Sequence, residues 1–148
     1  MQSRIMKHIH HISRCSTLYR DLQLKDSGLT GYQAPYLPII YRNPGLTQDE
    51  LAKKLHVNRS SVTRQLALLE EDGFVTRQRS HSDKRSIQVY PQEKLNAAMP
   101  ELRKIFANFR AAITDQMTAQ EVHTLTVLLE KLSQRAEELI NECEDTVE

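Results

Sequence analysis

Apolar side chains recur at intervals of three and four residues along much of this chain, which is the spacing of one face of an α-helix. The longest such stripes lie in Ser3–Leu24, Leu95–Ile113 and Val122–Ile140, and a shorter apolar stretch lies in Tyr32–Tyr41. Gly28 follows the first stretch and suits the C-terminal cap of a helix. The pattern predicts a protein built mainly from helices.

Two prolines and one capping motif modify these helices. Pro38 is expected to distort the first turn of the short helix, and Pro100 to kink or restart the longer one. Thr118 and Glu121 have the spacing of a capping box, which marks the start of the last helix. The acidic end of that helix, Glu137–Glu148, is expected to fray.

Two further short helices are predicted in the middle of the chain. Thr47 and Glu50 have capping-box spacing, so a helix should occupy Gln48–Leu55. Asn58 is a favourable N-cap for a second helix, which Gly73 stops. Because only three or four residues connect the two helices, they form a candidate helix-turn-helix.

After these helices the period changes to alternation. Phe74–Arg79 and Ser86–Tyr90 alternate and are rich in β-branched residues, with the polar segment Ser80–Arg85 between them. They predict a β-hairpin with a charged tip, ended by Pro91. The expected fold class is therefore mostly α (α+β): a winged helix-turn-helix with a two-stranded β-wing, flanked by N- and C-terminal helices.

The balance of charge is informative only locally. The chain has 20 Lys and Arg against 19 Asp and Glu, so its net charge of +1 excludes a histone-like polycation and an acidic tail protein. Residues 53–90, however, contain eight basic and four acidic side chains, and residues 130–148 have the opposite bias. This polarisation suits nucleic-acid binding in the helix-turn-helix and hairpin.

Other classes of protein are disfavoured. Cys15 and Cys143 are far apart, which excludes a disulfide framework and a CxxC metal knuckle. No apolar run approaches the roughly 20 residues of a membrane span, and charges and histidines interrupt the N-terminus, unlike a secretory signal. We expect a cytoplasmic protein with no membrane partner.

A helical wheel of the helix after Asn58 separates two faces. Val62, Leu66 and Leu69 share the face expected to be buried, and the opposite face is small, hydroxylated and basic. Entry into a DNA major groove requires little bulk, donors for phosphates and Arg for guanine. The basic hairpin tip can reach the flanking minor groove, where Arg responds to groove width.

Four segments form a combination that is typical of one family: Leu46–Ala52, Val57–Arg64, Leu69–Val75 followed by Arg77, and the Asp-x-Arg motif within Asp83–Arg85. They resemble the MarR family of winged-helix regulators. The resemblance covers essentially the whole chain, and the wing motif is its most specific part. It implies a homodimeric repressor that a small molecule or an oxidant releases from DNA, with the wing Arg in the minor groove and the wing Asp bracing the wing. The chain departs from the family pattern at Pro38 and at Pro91–Glu93.

These arguments together define the candidate DNA-binding residues. Phosphate contacts are expected from helix starts and the wing, and base contacts from the exposed face of the second helix and the wing tip. The candidates are Thr47, Asn58, Arg59, Ser60, Ser61, Thr63, Arg64, Gln65, Arg77, Arg79, Asp83, Lys84 and Arg85.

The terminal helices offer more apolar positions than a small winged domain can cover. We therefore expect residues 1–28 to form an N-terminal dimerisation helix, residues 29–91 the DNA-binding domain, and residues 92–148 C-terminal dimerisation helices. A dimer would bind double-stranded DNA at a pseudo-palindromic operator with half-sites about one helical turn apart. The alternative is that these stripes pack within one chain.

An effector site is expected near the first two helices. Tyr19, Tyr32, Tyr36 and Tyr41 cluster there, and a small aromatic or lipophilic anion would lie among them near Arg20 or Arg42. The alternative is that the tyrosines pack a domain junction with their hydroxyls at its edge. The candidate pocket residues are Cys15, Tyr19, Tyr32 and Tyr36.

Cys15 and the nearby histidines admit other interpretations. With Arg14 adjacent and His11 one turn back, Cys15 would serve a redox sensor, or it is simply a small buried residue. His8 and His10 add to a histidine-rich segment, but without a further ligand no metal and no cofactor are predicted. A protein-binding winged helix is the alternative to DNA binding. An enzyme is not expected, since no phosphate loop, HExxH or GxSxG motif is present.

Overall fold

The computed structural model describes residues 3–147, and within them it contains six helices and one two-stranded sheet. The fold is mostly helical, with the sheet inserted between the fourth and fifth helices, as expected. In chain order the elements are α1 (Ser3–Gln23), α2 (Tyr36–Arg42), α3 (Gln48–Leu55), α4 (Arg59–Glu71), β1 (Val75–Arg79), β2 (Ile87–Pro91), α5 (Glu93–Ile113) and α6 (Ala119–Asp145).

The chain divides into two compact units, Met1–Phe109 and Arg110–Glu148, with the division inside α5. The first unit contains the helix-turn-helix, the wing and the buried core. The expected roles of residues 1–28, 29–91 and 92–148 in dimerisation and DNA binding remain predictions. None of the helices described within residues 3–147 is long and apolar enough to cross a membrane.

The second helix differs from the prediction at its start. It begins at Tyr36 and not at Tyr32, because Thr30 and Gln33 form a turn in which each backbone N–H donates to the other's side chain, both at 3.1 Å. Pro38 occupies the third position of α2, where a backbone N–H has no partner within the helix. The proline therefore fits the first turn.

The predicted helix starts in the centre of the chain are confirmed. The Thr47 side chain accepts a hydrogen bond from the Glu50 backbone N–H, while Glu50 accepts one from the Thr47 backbone N–H, which completes a capping box. The side chain of Asn58 caps α4. His56, at the end of α3, has a φ of 52° and turns the chain sharply towards α4. Local side-chain to backbone bonds thus set where both helices of the helix-turn-helix begin.

The wing is an antiparallel pair in which Val75 lies opposite Pro91 and Arg79 opposite Ile87. A third short segment joins it. The Gly45 N–H donates to the Val89 carbonyl at 2.8 Å, and the Val89 N–H donates to the Leu46 carbonyl at 2.9 Å. This segment, which the sequence pattern did not predict, ties the start of α3 to β2.

The buried core lies in the first unit and joins the helix-turn-helix, the wing and α5. Leu51 of α3, Leu66 of α4 and Leu95 of α5 are all fully buried, and Phe74 and Val89 of the wing join them. The hydrophobic effect therefore fixes the position of α4 from its inner face and leaves its outer face to solvent.

The two C-terminal helices differ from expectation in detail. Helix α5 continues through Pro100 without the predicted restart. The capping box of Thr118 and Glu121 starts α6 as predicted. That helix extends to Asp145, through the acidic segment that was expected to fray.

Candidate nucleic-acid interface

The outer face of α4 carries small, hydroxylated and basic side chains. Val62, Leu66 and Leu69 are buried, so the opposite face points to solvent, as the helical wheel predicts. Its exposed or half-buried side chains include Arg59, Ser60, Ser61, Thr63, Arg64 and Gln65. The structure therefore places all six recognition-helix candidates on the accessible side of the helix.

Thr47 and Asn58 each hold the start of a helix at this surface. The Asn58 Oδ1 atom accepts hydrogen bonds from the Ser61 backbone N–H and from the Ser60 hydroxyl, each at 2.8 Å. The Thr47 Oγ1 atom accepts from the Glu50 N–H at 3.1 Å and retains its own proton for donation. Backbone N–H groups in the first turn of a helix attract phosphate, so both caps lie where DNA contacts are expected.

Arg59, the first residue of α4, makes an ion pair. Its Nε atom lies 2.8 Å from Oδ1 of Asp49 in α3, and both side chains are largely exposed. An exposed pair of this kind contributes about 0–1 kcal/mol, so DNA can replace it at small cost. The sequence pattern did not reveal Asp49, because nothing local connects it to Arg59.

Arg77 differs from the other basic candidates. Its side chain is only 22% exposed and lies against Glu70 of α4, with Nη2 3.3 Å from Oε1. Its Nη1 atom donates to the side chain of Gln48 in α3. Arg77 is therefore placed between three elements, and Glu70 and Gln48 are neighbours that the sequence analysis did not identify.

The tip of the wing is basic and shaped by an aspartate. Arg79, Lys84 and Arg85 are exposed. Asp83 accepts the Arg85 N–H through its side chain and the Ser86 N–H through its carbonyl, both at 3.0 Å. The aspartate thus folds the turn that presents Arg85, the arrangement that the family resemblance implies.

The tyrosine cluster lies in the same unit. Tyr19 packs on Phe109 with ring centroids 5.2 Å apart, and Tyr32 lies 5.9 Å from Tyr36. Tyr36 is buried, and among the described residues its hydroxyl makes no hydrogen bond of good geometry, although the Tyr32 side chain lies close to it. Burial, together with the neighbouring Tyr32, raises the pKa of Tyr36, and the positive charge of Arg64 in α4 opposes that rise.

Arg20 is engaged within the protein and is therefore not a free anion ligand. Its guanidinium donates to the Gly31 carbonyl at 2.9 Å and to the hydroxyls of Ser16 and Thr17. It also lies over the ring of Phe106. These contacts hold α1 against the loop before α2, which is a structural role.

Cys15 is exposed on α1 and is not the small buried residue that one interpretation expected. The Nε2 atom of His11 lies 3.7 Å from its sulfur. Cys143 is also an exposed free thiol. Within residues 3–147 no three His, Cys, Asp or Glu side chains come together in a way that would hold a metal ion.

Comparison with known proteins connects this surface to a family. The model of the MarR family matches residues 29–87, which include the helix-turn-helix and most of the wing. A curated relative, the uncharacterized HTH-type transcriptional regulator YybA of Bacillus subtilis strain 168, is 29% identical over 133 residues. The match covers 90% of this chain and 89% of YybA.

Solved structures share the fold over nearly the full length. The MarR protein from Peptoclostridium difficile DA00132 has a TM-score of 0.90 and 26% identity, covering 93% of this chain and 90% of that one. Streptococcus pneumoniae FabT, solved in complex with DNA, has a TM-score of 0.76 and 22% identity, covering 94% of this chain and 99% of FabT. With the exposed recognition helix and the Asp-x-Arg wing, these matches identify residues 29–87 as a MarR-family domain, and the whole chain is similar to MarR-family DNA-binding transcriptional regulators, which are not enzymes.

Proposed function

We propose that this regulator is a homodimeric, cytoplasmic repressor that binds a pseudo-palindromic operator and leaves it when a small aromatic or lipophilic anion binds. The observation that carries the dimer is α6. This helix has 27 residues, and not one of them is buried. A second copy of the chain is the partner that supplies its cover.

The apolar residues of α6 recur at helical spacing and are roughly half exposed. They include Leu125, Leu128, Leu129, Leu132, Leu139 and Ile140, with exposures of 41–53%. Full burial of one such side chain stabilises a protein by about 1.5–3 kcal/mol. A stripe of this length supports an obligate interface, and a symmetric dimer would repeat it on both copies.

A dimer presents two recognition helices and two wings to one duplex. In each half-site we propose phosphate contacts from Thr47, Ser61 and Thr63, and minor-groove contact from Arg85. The proposed base contacts in the major groove come from Arg59, Ser60, Arg64 and Gln65. The DNA complex of FabT, which shares this fold, supports a duplex as the target.

For the effector we propose the region of Tyr19, Tyr32 and Tyr36. The buried hydroxyl of Tyr36 makes no hydrogen bond of good geometry, so a ligand carboxylate or phenolate that accepts a hydrogen bond from it would satisfy this donor. Arg64 lies near enough to influence the ionisation of Tyr36. A ligand here would therefore act beside the recognition helix. Oxidation of exposed Cys15 is the alternative trigger.

The dimer is tested with a pair of matched variants. Leu132→Glu places a charge in the apolar stripe, and Asn141→Glu places the same charge on the opposite, exposed face of α6. We expect analytical ultracentrifugation to show dimers for the wild type and Asn141→Glu, and monomers for Leu132→Glu. If Leu132→Glu stays dimeric, the apolar stripe of α6 is not part of the dimer interface.

DNA recognition is tested by fluorescence anisotropy on the reduced wild-type protein. The probes are a duplex from immediately upstream of its own gene, a scrambled duplex, and the duplex most enriched from a random library. We expect tight, salt-dependent binding that prefers the enriched duplex. Absence of binding to all three at low salt would favour the protein-binding alternative.

Effector release is tested on the preformed complex. We expect 4-hydroxybenzoate to dissociate the wild type from the enriched duplex, and to dissociate Tyr36→Phe only at a higher concentration. Tyr41→Phe is the control, because Tyr41 lies outside the proposed pocket. Equal release of all three proteins would exclude the Tyr36 hydroxyl as a ligand contact, and release by peroxide alone would favour Cys15.

A further inference from the structure

Two arginines on the same face of β1 have different surroundings. Arg77 and Arg79 are two residues apart, so the alternation of a strand places both side chains on one side. Arg79 is exposed, whereas the Arg77 side chain is 22% exposed. The chemistry of the residues around Arg77 therefore decides its role.

Glu70 of α4 binds Arg77 at two points. Its Oε2 atom accepts the Arg77 backbone N–H at 2.7 Å, and its Oε1 atom lies 3.3 Å from the guanidinium Nη2. The first bond fixes the position of the strand, and the second fixes the side chain. One carboxylate thus attaches the base of the wing to the last turn of the recognition helix.

The contacts continue from Arg77 into α3 and back to α4. The Arg77 Nη1 atom donates to the Gln48 side-chain oxygen at 3.3 Å, and the Gln48 Nε2 atom donates to the Thr63 hydroxyl at 3.3 Å. Because Arg77 takes the amide oxygen, the amide nitrogen is directed to Thr63. Thr63 in turn donates to the Arg59 carbonyl at 3.0 Å.

The wing depends on such attachment because it is a narrow hairpin. Strand residues advance about 3.3 Å each, so Arg85, beyond the strand end at Arg79, lies more than about 7 Å from the level of Arg77. A tilt at the base of the wing is therefore enlarged at its tip. For Arg85 to enter the minor groove while α4 occupies the major groove, the base of the wing must be held in a fixed orientation.

We propose that Glu70, Arg77 and Gln48, here called the brace, are positioning residues that hold the wing and the recognition helix in one orientation for simultaneous contact with DNA. The proposal rests on the DNA-binding surface proposed above. It assigns Arg77 to the interior of that surface and leaves the phosphate contacts of the wing to its exposed residues.

Removal of the Glu70 charge distinguishes the brace from simple electrostatics, because the two predict opposite changes in DNA affinity. Glu70 is negative and lies on a DNA-binding domain, so its removal alone would tighten binding to phosphates. The brace predicts the opposite, because β1 loses its hydrogen bonds to α4 and the wing, still held through β2, can tilt relative to the recognition helix. Glu71 is the matched control: it is the next residue on the same helix, it is exposed, and its removal changes the net charge by the same amount.

The experiment measures binding of full-length dimers to the duplex most enriched from a random library by the wild type. We expect Glu70→Ala to raise the Kd about 5- to 20-fold, and Glu71→Ala to leave it unchanged or lower it up to about twofold. Arg85→Ala is then added to each protein. We expect it to raise the Kd about tenfold in the wild type and in Glu71→Ala, but less than about threefold in Glu70→Ala.

The double-variant result is the measurement that a merely structural role would not move. Partial unfolding lowers the fraction of protein that can bind DNA, and circular dichroism with stoichiometric DNA titration measures that fraction. Partial unfolding does not change the factor by which Arg85→Ala raises the Kd. Should Glu70→Ala not fold, Glu70→Gln takes its place in the same cycle with Glu71→Gln as its control, since it removes the ion pair with Arg77, keeps the size of the side chain and changes the net charge by the same amount.

The outcomes are distinct. Weakened binding together with a reduced Arg85 effect supports the brace. Binding by Glu70→Ala that matches Glu71→Ala overturns it, and so does an undiminished Arg85 effect in Glu70→Ala. An Arg85→Ala variant that binds like the wild type overturns the wing contact of the proposed function and the brace with it.

Discussion

The cap of α4 lies on the surface that is expected to meet DNA, so substitutions at Asn58 should separate stability from affinity. Asn58 is exposed, and its Oδ1 atom accepts hydrogen bonds from Ser61 and Ser60, each at 2.8 Å. Asn58→Ala removes both bonds. Asn58→Asp keeps an acceptor at the same position and adds a negative charge.

The stability effects follow from the cap. Loss of an N-cap side chain to Ala costs about 1 kcal/mol, within a range of about 0.5–2. We therefore expect Asn58→Ala to lower Tm by about 2–8 °C. Asn58→Asp should match the wild type or gain about 0.3–1 kcal/mol, because a negative charge at the N-terminus of a helix is favourable.

The affinity effects have a different order. A carboxylate about 4 Å from a phosphate costs about 1 kcal/mol in a water-like medium. That is about fivefold in Kd for each protomer, and about 30-fold for a dimer that places two helices on one duplex. Asn58→Ala adds no charge and should weaken binding by less than this.

The assay combines thermal and urea unfolding with anisotropy titrations at one fixed salt concentration. Asn141→Asp is the control for added charge, because Asn141 is an exposed residue of α6, which contributes none of the proposed DNA contacts. If Asn58→Asp binds as tightly as the wild type, the start of α4 does not lie near a phosphate. If Asn58→Ala unfolds like the wild type, the cap does not stabilise α4.

Three further predictions address the wing, the core and the tyrosine cluster. Arg85→Ala should weaken binding and reduce the slope of log Kd against log salt concentration by about 1 for each protomer, measured by titration over a salt series; an unchanged slope would contradict the assignment of Arg85 to the DNA groove. Leu66→Ala should lower the free energy of unfolding by about 2–5 kcal/mol in urea, because the side chain is fully buried, and a loss under about 1 would contradict that packing. Tyr36→Phe should raise stability by about 1 kcal/mol, since it removes a buried hydroxyl that makes no hydrogen bond of good geometry. The pKa of Tyr36 is raised above its ordinary 10.0, so the wild type should keep its full stability below pH 10 and lose part of it as the pH rises further. Urea unfolding at pH 8 and 11 should show this loss in the wild type and not in Tyr36→Phe.

The local features of this fold could be predicted from the sequence. The capping box of Thr47 and Glu50 and the cap at Asn58 are hydrogen bonds between residues three apart, so their chemistry is contained in a short segment. The buried face of α4 follows from helical spacing, and the wing follows from alternation. Asp83 and Arg85 form a similarly short motif at its tip.

Other features required partners that are distant in sequence. The start of α2 depends on side chains of the preceding turn, and the third segment of the wing depends on Leu46 reaching Val89. The pairing of Arg59 with Asp49 joins two helices. Helical or strand periodicity contains no information about such contacts.

Arg77 and Arg79 show where that division falls. The sequence determined that both lie on one face of a basic hairpin next to a helix-turn-helix, and it carried the resemblance to the MarR family. Only the tertiary structure decided that Arg77 is enclosed by Glu70, seven residues away, and Gln48, 29 residues away, while Arg79 stays in solvent. The reason is physical: spacing sets the direction of a side chain, but packing brings the opposite charge to it.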